Sequence, residues 1–181
     1  YKNKYLLGIS LRRDGSSKFR EDMRWQNFMA WSAGWIISDE KFFSGVPVVN
    51  FLKLRGSFGQ TGNKDIPPSR FVTTYTNNRD DRYGLPTLIS GGTRIENLGV
   101  PTVTWETTNN YDIGIDYGIL NNRLNGAFDY YLRDIKDLLL FSSLPPSAGV
   151  SGLWNNIGDM RNNGFEFNLS SVNINKPGRT F

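Results

Sequence analysis

The stretch Ile113-Gly114-Ile115-Asp116-Tyr117-Gly118-Ile119-Leu120-Asn121-Asn122-Arg123-Leu124-Asn125-Gly126-Ala127-Phe128-Asp129-Tyr130-Tyr131-Leu132-Arg133 decides the fold. Ile113, Ile115, Tyr117 and Ile119 alternate with Gly114, Asp116 and Gly118. After a break, Leu124, Phe128, Tyr130 and Leu132 share one parity, and Asn125, Asp129, Tyr131 and Arg133 the other. A period of two is that of a β-strand, whose successive side chains point to opposite faces. The break, Leu120-Asn121-Asn122-Arg123, sets two Asn residues where a tight hairpin needs left-handed backbone, which Asn tolerates. The pattern therefore predicts two antiparallel strands, apolar on one face and charged on the other.

The same alternation recurs on both sides of this hairpin. Tyr5, Leu7, Ile9 and Leu11 oppose Leu6, Gly8, Ser10 and Arg12; Met29, Trp31, Ala33, Trp35 and Ile37 oppose Phe28, Ala30, Ser32, Gly34 and Ile36. Leu52, Leu54, Gly56 and Phe58 oppose Lys53, Arg55, Ser57 and Gly59, and Phe165, Phe167 and Leu169 oppose Glu166, Asn168 and Ser170. Six strands result. Their connections differ in length: residues 13–25, 63–104 and 141–156 are long, 121–123 and 175–178 are tight, and 39–50 is intermediate, with Ser38-Asp39-Glu40-Lys41 expected to N-cap one helical turn.

A sandwich and a transmembrane barrel share this period, and the polarity of the second face decides between them. A sandwich buries its apolar face on another sheet. A barrel turns that face to lipid, and charged residues line its water-filled interior. Crossing an apolar band about 25 Å tall takes roughly ten tilted residues, close to the length of these segments. Tyr5, Trp25, Trp35, Trp105 and Tyr130 are expected in interfacial girdles. The fold read here is all-β, an antiparallel up-and-down segment of a transmembrane β-barrel. Six strands fall short of the roughly eight of the smallest membrane barrels. Residues 1–181 are therefore expected to be one partial barrel domain whose other strands lie in sequence beyond it. The sequence opens at Tyr1 with neither Met nor the n-region, h-region and cleavage site of a targeting signal, so any such signal is expected outside residues 1–181, and Lys176-Pro177-Gly178 interrupts the last strand before Phe181, which fits an internal piece of a longer chain. The competing reading is a secreted β-sandwich module that binds sugar.

Composition narrows the chemistry. The chain has no Cys and no His, which removes disulfides, thiol nucleophiles, imidazole-ligated metals and Ser-His-Asp catalysis. No apolar run is long enough for a membrane-spanning helix. The net charge of +4 arises from basic residues scattered among acidic ones, with no stripe to follow a nucleic acid, so none is expected as a partner.

Five motifs in order carry a resemblance. They are Arg12-Arg13-Asp14-Gly15-Ser16-Ser17-Lys18-Phe19; Leu52-Lys53-Leu54-Arg55-Gly56-Ser57-Phe58-Gly59-Gln60-Thr61-Gly62-Asn63; Trp105-Glu106-Thr107-Thr108-Asn109-Asn110; Asp112-Ile113-Gly114-Ile115-Asp116; and Asn156-Ile157-Gly158-Asp159-Met160-Arg161-Asn162-Asn163-Gly164-Phe165-Glu166. Together they resemble the C-terminal half of SusC/RagA-like TonB-dependent outer-membrane transporters, from about Tyr5 to Ser170. Phe28-Met29-Ala30 departs from the Phe-Pro-Ser often found there, which touches local geometry only. The resemblance implies a barrel of about 22 strands, closed by an N-terminal plug, in the outer membrane of Bacteroidota-type bacteria. It implies import of glycans or peptides with energy from TonB, and a SusD-like surface lipoprotein as lid. The plug and the TonB box are expected outside residues 1–181.

Candidate sites are few. Tyr75, Tyr83 and Trp154 fall in the long connections, where aromatic faces stack on sugar rings, pack on peptide side chains or meet a lid. Asn77, Asn78, Asp80 and Asp81 are oxygen donors without the spacing of a calcium loop, so no metal is expected. Residues 56–62 are Gly-rich but continue a strand and lack the Lys-Ser/Thr of a phosphate loop, so no cofactor is expected. Asp129, Asp134 and Asp137 beside Arg133 and Lys136 read as a charge-paired wall. Asp116 and Asp129 are expected to oppose one another across the hairpin, where numbers summing to about 244–245 would pair. A glycosidase needs two carboxyls across a cleft, and these lie on one flat wall, so the chain is not expected to be an enzyme.

Overall fold

In the computed structural model, residues 1–83 and 90–173 are described, with backbone only for 78–83 and 90–91. Six long strands form one antiparallel sheet: β1 (Tyr5–Gly15), β2 (Trp25–Ile36), β3 (Val49–Asn63), β6 (Glu106–Ile119), β7 (Leu124–Lys136) and β10 (Met160–Ser171). They lie side by side in the order β1-β2-β3-β6-β7-β10, each beside its sequence neighbour among the six, as an up-and-down wall requires. These are the six expected strands, from two residues (β2) to seven (β3 and β6) longer than their alternating segments, with β2 ending at Ile36 and not Ile37. The wall is open, with β1 and β10 at its edges.

The long connections are not irregular throughout. Residues 64–105 contain a hairpin of β4 (Thr74–Tyr83) and β5 (Ser90–Asn97), and residues 137–159 a hairpin of β8 (Leu139–Ser143) and β9 (Gly152–Asn156). Expecting plain loops there was a misreading with a physical source: β4 is polar on both faces and β8 is a five-residue strand, so neither shows an apolar period. The link between β2 and β3 also differs. Instead of one N-capped helical turn it has two 3₁₀ turns, Ile37–Asp39 and Lys41–Phe43, with no side-chain cap. Glu40 separates them in extended conformation because its carboxylate is engaged elsewhere, accepting from Tyr5 Oη at 2.7 Å, Trp35 Nε1 at 3.3 Å and Lys4 Nζ at 3.3 Å. The Tyr5 hydroxyl, and then the Trp35 indole, hold the Glu40 carboxyl below the usual carboxylate range.

The tight turn is as the Asn pair requires, and one residue longer. Leu120, Asn121 and Asn122 take φ of 54°, 56° and 59°. For Leu such a conformation is unfavourable, and neighbouring groups stabilise it. Asn50 sits at a register shift in β3, and its Oδ1 accepts from Asn121 N at 2.6 Å, beside a bond from Leu120 N to Val48 O at 3.0 Å. The expected turn at 175–178 lies outside the described residues.

One face of the wall is an apolar surface. Ile9, Trp31, Phe58, Tyr111 and Leu132 follow one another across the ladders, ending opposite Asn163 on β10. On β1 this face is almost bare, with Leu7, Ile9 and Leu11 exposed by 76, 72 and 78%. In water, such a surface would drive association. Relative to the Ile9–Leu132 row, the apolar run extends two residues further on β1, to Leu11, and stops two residues short on β10, at Phe165. A stagger of that order across five steps is what tilted barrel strands need. The 12 residues of β2 would cross about 30 Å at a tilt near 40°.

The buried core lies away from the wall's faces. Phe19, Phe28, Ile66, Val103, Trp105 and Leu139 pack together, with Met23, Phe71, Val100 and Trp154 against them. Apart from Phe28, these come from the long connections 16–24, 64–105 and 137–159, all at one end of the strands. Trp105 therefore belongs to this core and not to a girdle, and Tyr130 sits mid-strand between Ile113 and Phe165. Tyr5 and Trp35, stacked at 6.5 Å beside Glu40, do mark the opposite end.

Candidate functional site

The polar face of the wall is centred on Arg55. The ladders place Gly34, Arg55, Gly114, Asp129 and Glu166 in one row, with Lys53 and Asp116 in the next row toward the tight turn and Ser57 and Asp112 in the next row toward the long connections. Because Gly114 has no side chain, the guanidinium reaches across it. Arg55 Nε meets Asp116 Oδ1 at 3.1 Å, Nη1 meets Asp112 Oδ1 at 3.0 Å, and Nη2 lies 2.5 Å from Asp129 Oδ1, an ion contact without hydrogen-bond alignment. Lys53 Nζ adds a contact to Asp116 Oδ2 at 3.5 Å. Three carboxylates thus share two cations, and the planar fork of Arg55 is the one group that reaches all three.

This corrects two expectations. The hairpin pairs residues whose numbers sum to 243, as Gly114↔Asp129 shows, so Asp116 faces Ala127 and meets Asp129 only through Arg55. The four-residue turn with three left-handed positions sets that sum. Asp129 is also not paired with Arg133, whose Nε donates to Asn110 Oδ1 at 3.0 Å. Asp134 pairs with Arg161 at 3.2 Å, and Lys136 with Asp159 at 3.2 Å. The wall is charge-paired, with other partners than adjacency in sequence suggests. Beyond Asp112, a polar trough continues past Tyr131, Arg133, Asn162 and Glu166.

Gly114→Ala tests this packing. A Cβ there would fall 1.9 Å from Asp129 Oδ1 and 2.9 Å from Arg55 Cζ. The ion contact has to break, and we expect a loss of about 1–3 kcal/mol, read as a lower unfolding midpoint of the complete protein in detergent. Gly56→Ala, whose nearest neighbour would be Asp112 O at an ordinary 3.7 Å, is the control.

The three aromatic candidates fall on the two hairpins. Tyr75 lies in β4 opposite Ile95 and is 65% exposed. Tyr83 pairs with Ser90 through the backbone, and its side chain lies outside the described residues. Trp154 in β9 packs on Phe141 at 5.9 Å and on the connection core, so its ring serves packing first. Asn77 Oδ1 accepts from Thr93 Oγ1 at 2.7 Å, while the side chains of Asn78, Asp80 and Asp81 lie outside the described residues. Residues 56–62 lie within β3 as a continuous strand. The roles of Arg55 and Gly114 were missed, and an Arg whose ladder neighbours on both sides are Gly was the signal available.

The comparisons with known proteins agree with this geometry. Residues 1–175 match the family described as TonB dependent receptor-like, beta-barrel. The chain is 37% identical over 174 residues to TonB-dependent receptor P39 of Formosa agariphila, covering 96% of this chain and 16% of that protein. It is 33% identical over 175 residues to TonB-dependent receptor SusC of Bacteroides thetaiotaomicron, covering 95% of this chain and 17% of that protein. Among solved structures, the RagAB peptide importer in its closed-closed state superposes with a TM-score of 0.83 at 27% identity, covering 96% of this chain and 18% of that one. The chain therefore spans about a sixth of the length of such relatives. A wall bare and apolar on one face, ion-paired on the other and matched along nearly its whole length belongs to the β-barrel family of TonB-dependent receptor-like proteins of the bacterial outer membrane.

Proposed function

We propose that the complete protein imports a nutrient, a glycan or a peptide, across the outer membrane, and that this chain supplies six strands of its barrel wall. The observation carrying this reading is the two-faced wall, with Leu7, Ile9 and Leu11 bare on one side and the Arg55 cluster on the other. The remaining strands, a plug and the TonB contact belong to sequence beyond residues 1–181. The long connections face the cell surface and the 120–123 turn the periplasm, following the usual barrel asymmetry. On that side Tyr75, Tyr83 and Trp154 contribute to contacts with substrate or with a SusD-like lid. Binding and conformational change do the work, without catalysis. Arg55 holds Asp112, Asp116 and Asp129 together on one wall, so none stands across a cleft from a partner as a proton donor would.

Two measurements test this. An epitope tag after Ser147, in the exposed turn joining β8 and β9, should be labelled on intact cells, and one at Asn122 only after permeabilisation. The reverse pattern would overturn the orientation. A strain lacking the gene should lose TonB-dependent uptake of a labelled oligosaccharide or of a labelled peptide. Unchanged uptake of both across a representative panel would remove the import reading.

A further inference from the structure

Tyr131 on β7 belongs to the polar face of the wall, in one row with Ser57, Asp112 and Gly164, next to the Asp129 row on the side of the long connections. A Cβ on Gly164 would come within 2.8, 2.9 and 3.0 Å of Tyr131 Oη, Cζ and Cε1. Three near-equal distances put that point over the face of the ring and not beyond its edge. Tyr131 therefore lies flat across Gly164, with its other face turned to the interior. The ladder frames the ring with polar side chains: Asp129 and Arg133 two residues away on its own strand, Asp112 opposite and Asn110 diagonal on β6. Both β6 and β7 have neighbours on either side within the wall, so ladders on both sides set these positions.

Arg133 spends Nε on Asn110 Oδ1 at 3.0 Å, which fixes the guanidinium beside the ring, and among the described residues its two Nη groups and Tyr131 Oη have no hydrogen-bond partner. Asp112 and Asp129 are held by Arg55, and an anion entering the frame would still meet both carboxylates. A pyranose fits this pattern. Its C–H face stacks on an aromatic ring, and its equatorial hydroxyls radiate in the plane of the sugar toward the donors and acceptors around that ring. A peptide side chain on Tyr131 would stack as well but leave Arg133 and Asn110 desolvated without partners, which is how polar sites reject a ligand. Across Asn110 the interior positions Ala30, Ser32, Ser57 and Gly59 are all small and leave a shallow depression for further sugar units. We propose that Tyr131, Arg133 and Asn110 form a sugar-binding subsite on the interior wall, and that the imported nutrient is a neutral oligosaccharide. This rests on the import reading above and names the class of its substrate.

The test titrates the complete receptor in detergent with neutral hexasaccharides of glucose, mannose, xylose and fructose, with hexagalacturonate, and with a tryptic digest of casein. A neutral hexasaccharide should bind tightest. Tyr131→Leu, which keeps bulk over Gly164 and removes the ring, should weaken it about tenfold, and Tyr131→Phe should recover most of that loss. Arg133→Met should weaken it about fivefold. Gly164→Ala, whose Cβ displaces the ring, should weaken it without touching the sugar. Unchanged affinity in folded Tyr131→Leu overturns the proposal, and if that variant does not fold, unchanged affinity in Arg133→Met does so. Tightest binding of the galacturonate or of casein peptides overturns it too, as does a wild-type receptor that binds none of the hexasaccharides. None of these results touches import itself, which the uptake measurement on the strain lacking the gene decides.

Discussion

Trp105→Ala in the complete receptor should loosen all three long connections at once, while the barrel stays folded. Trp105 is 3% exposed, its ring lies 5.2 Å from Phe19 and 5.8 Å from Phe28, and its Nε1 donates to Met23 O at 3.2 Å. Phe19 and Met23 belong to residues 16–24, and Leu139 and Trp154 of the same cluster to residues 137–159. One indole thus ties together segments more than a hundred residues apart. Polar bonds follow the same route. Asn156 Oδ1 accepts from Thr104 N at 2.8 Å, its Nδ2 donates to Thr104 O at 3.0 Å and to Asp137 O at 2.7 Å, and Glu106 Oε2 accepts from Leu139 N at 3.0 Å.

Removing a buried Trp costs about 3–5 kcal/mol when the site cannot collapse. That loss falls mainly on the local opening of the connections, since the cluster meets the ladders of the wall through Phe28 and is otherwise built from connection residues. Limited proteolysis of the folded receptor measures it. Cleavage should accelerate within 16–24 and 137–159 as well as near residue 105. Cleavage confined to the last segment would show that the connections are held separately. Tyr75→Ala, an exposed change in the hairpin that projects from the same platform, should leave the pattern unaltered.

How much of this was legible in the sequence follows from which solvent each segment meets. Wall strands face lipid on one side and a polar interior on the other, so residues such as Ile113, Gly114, Ile115 and Asp116 write the period of two directly. The turn was legible for a similar reason, since few residues tolerate left-handed backbone and Asn121-Asn122 is a pair of them. The hairpins within the connections were not. β4 presents polar residues on both faces, and the packing of Phe19, Ile66, Val103 and Trp105 is scattered over segments with no common period. Partners on the polar face lay between. Every member of the Arg55 cluster was visible as a polar strand position, but which carboxylate meets which cation depends on a register that a four-residue turn shifts by one or two.

That register makes Arg55 the residue whose loss the wall should feel most. Arg55→Met keeps an unbranched apolar stem but leaves Asp112, Asp116 and Asp129 around a shorter, uncharged side chain, with Lys53 touching Asp116 alone. Breaking a fully buried ion network by removing one partner costs 3–5 kcal/mol, so about 2–3 is expected here, because the cluster is about a quarter exposed to the polar interior. Arg55→Lys should recover less than half, since one ammonium cannot reach three carboxylates from the place of a fork. Asp129→Asn on the Arg55→Met background should restore part of the loss by removing one of the three like charges. The coupling expected between the two sites is about 1 kcal/mol or more. Unfolding midpoints of the complete receptor in detergent, read by the change in gel mobility on unfolding, give all four values. Strictly additive effects of Arg55→Met and Asp129→Asn would mean that the contact across Gly114 contributes nothing, and that the ion pairs of Arg55 tie β3 to β6 without reaching β7.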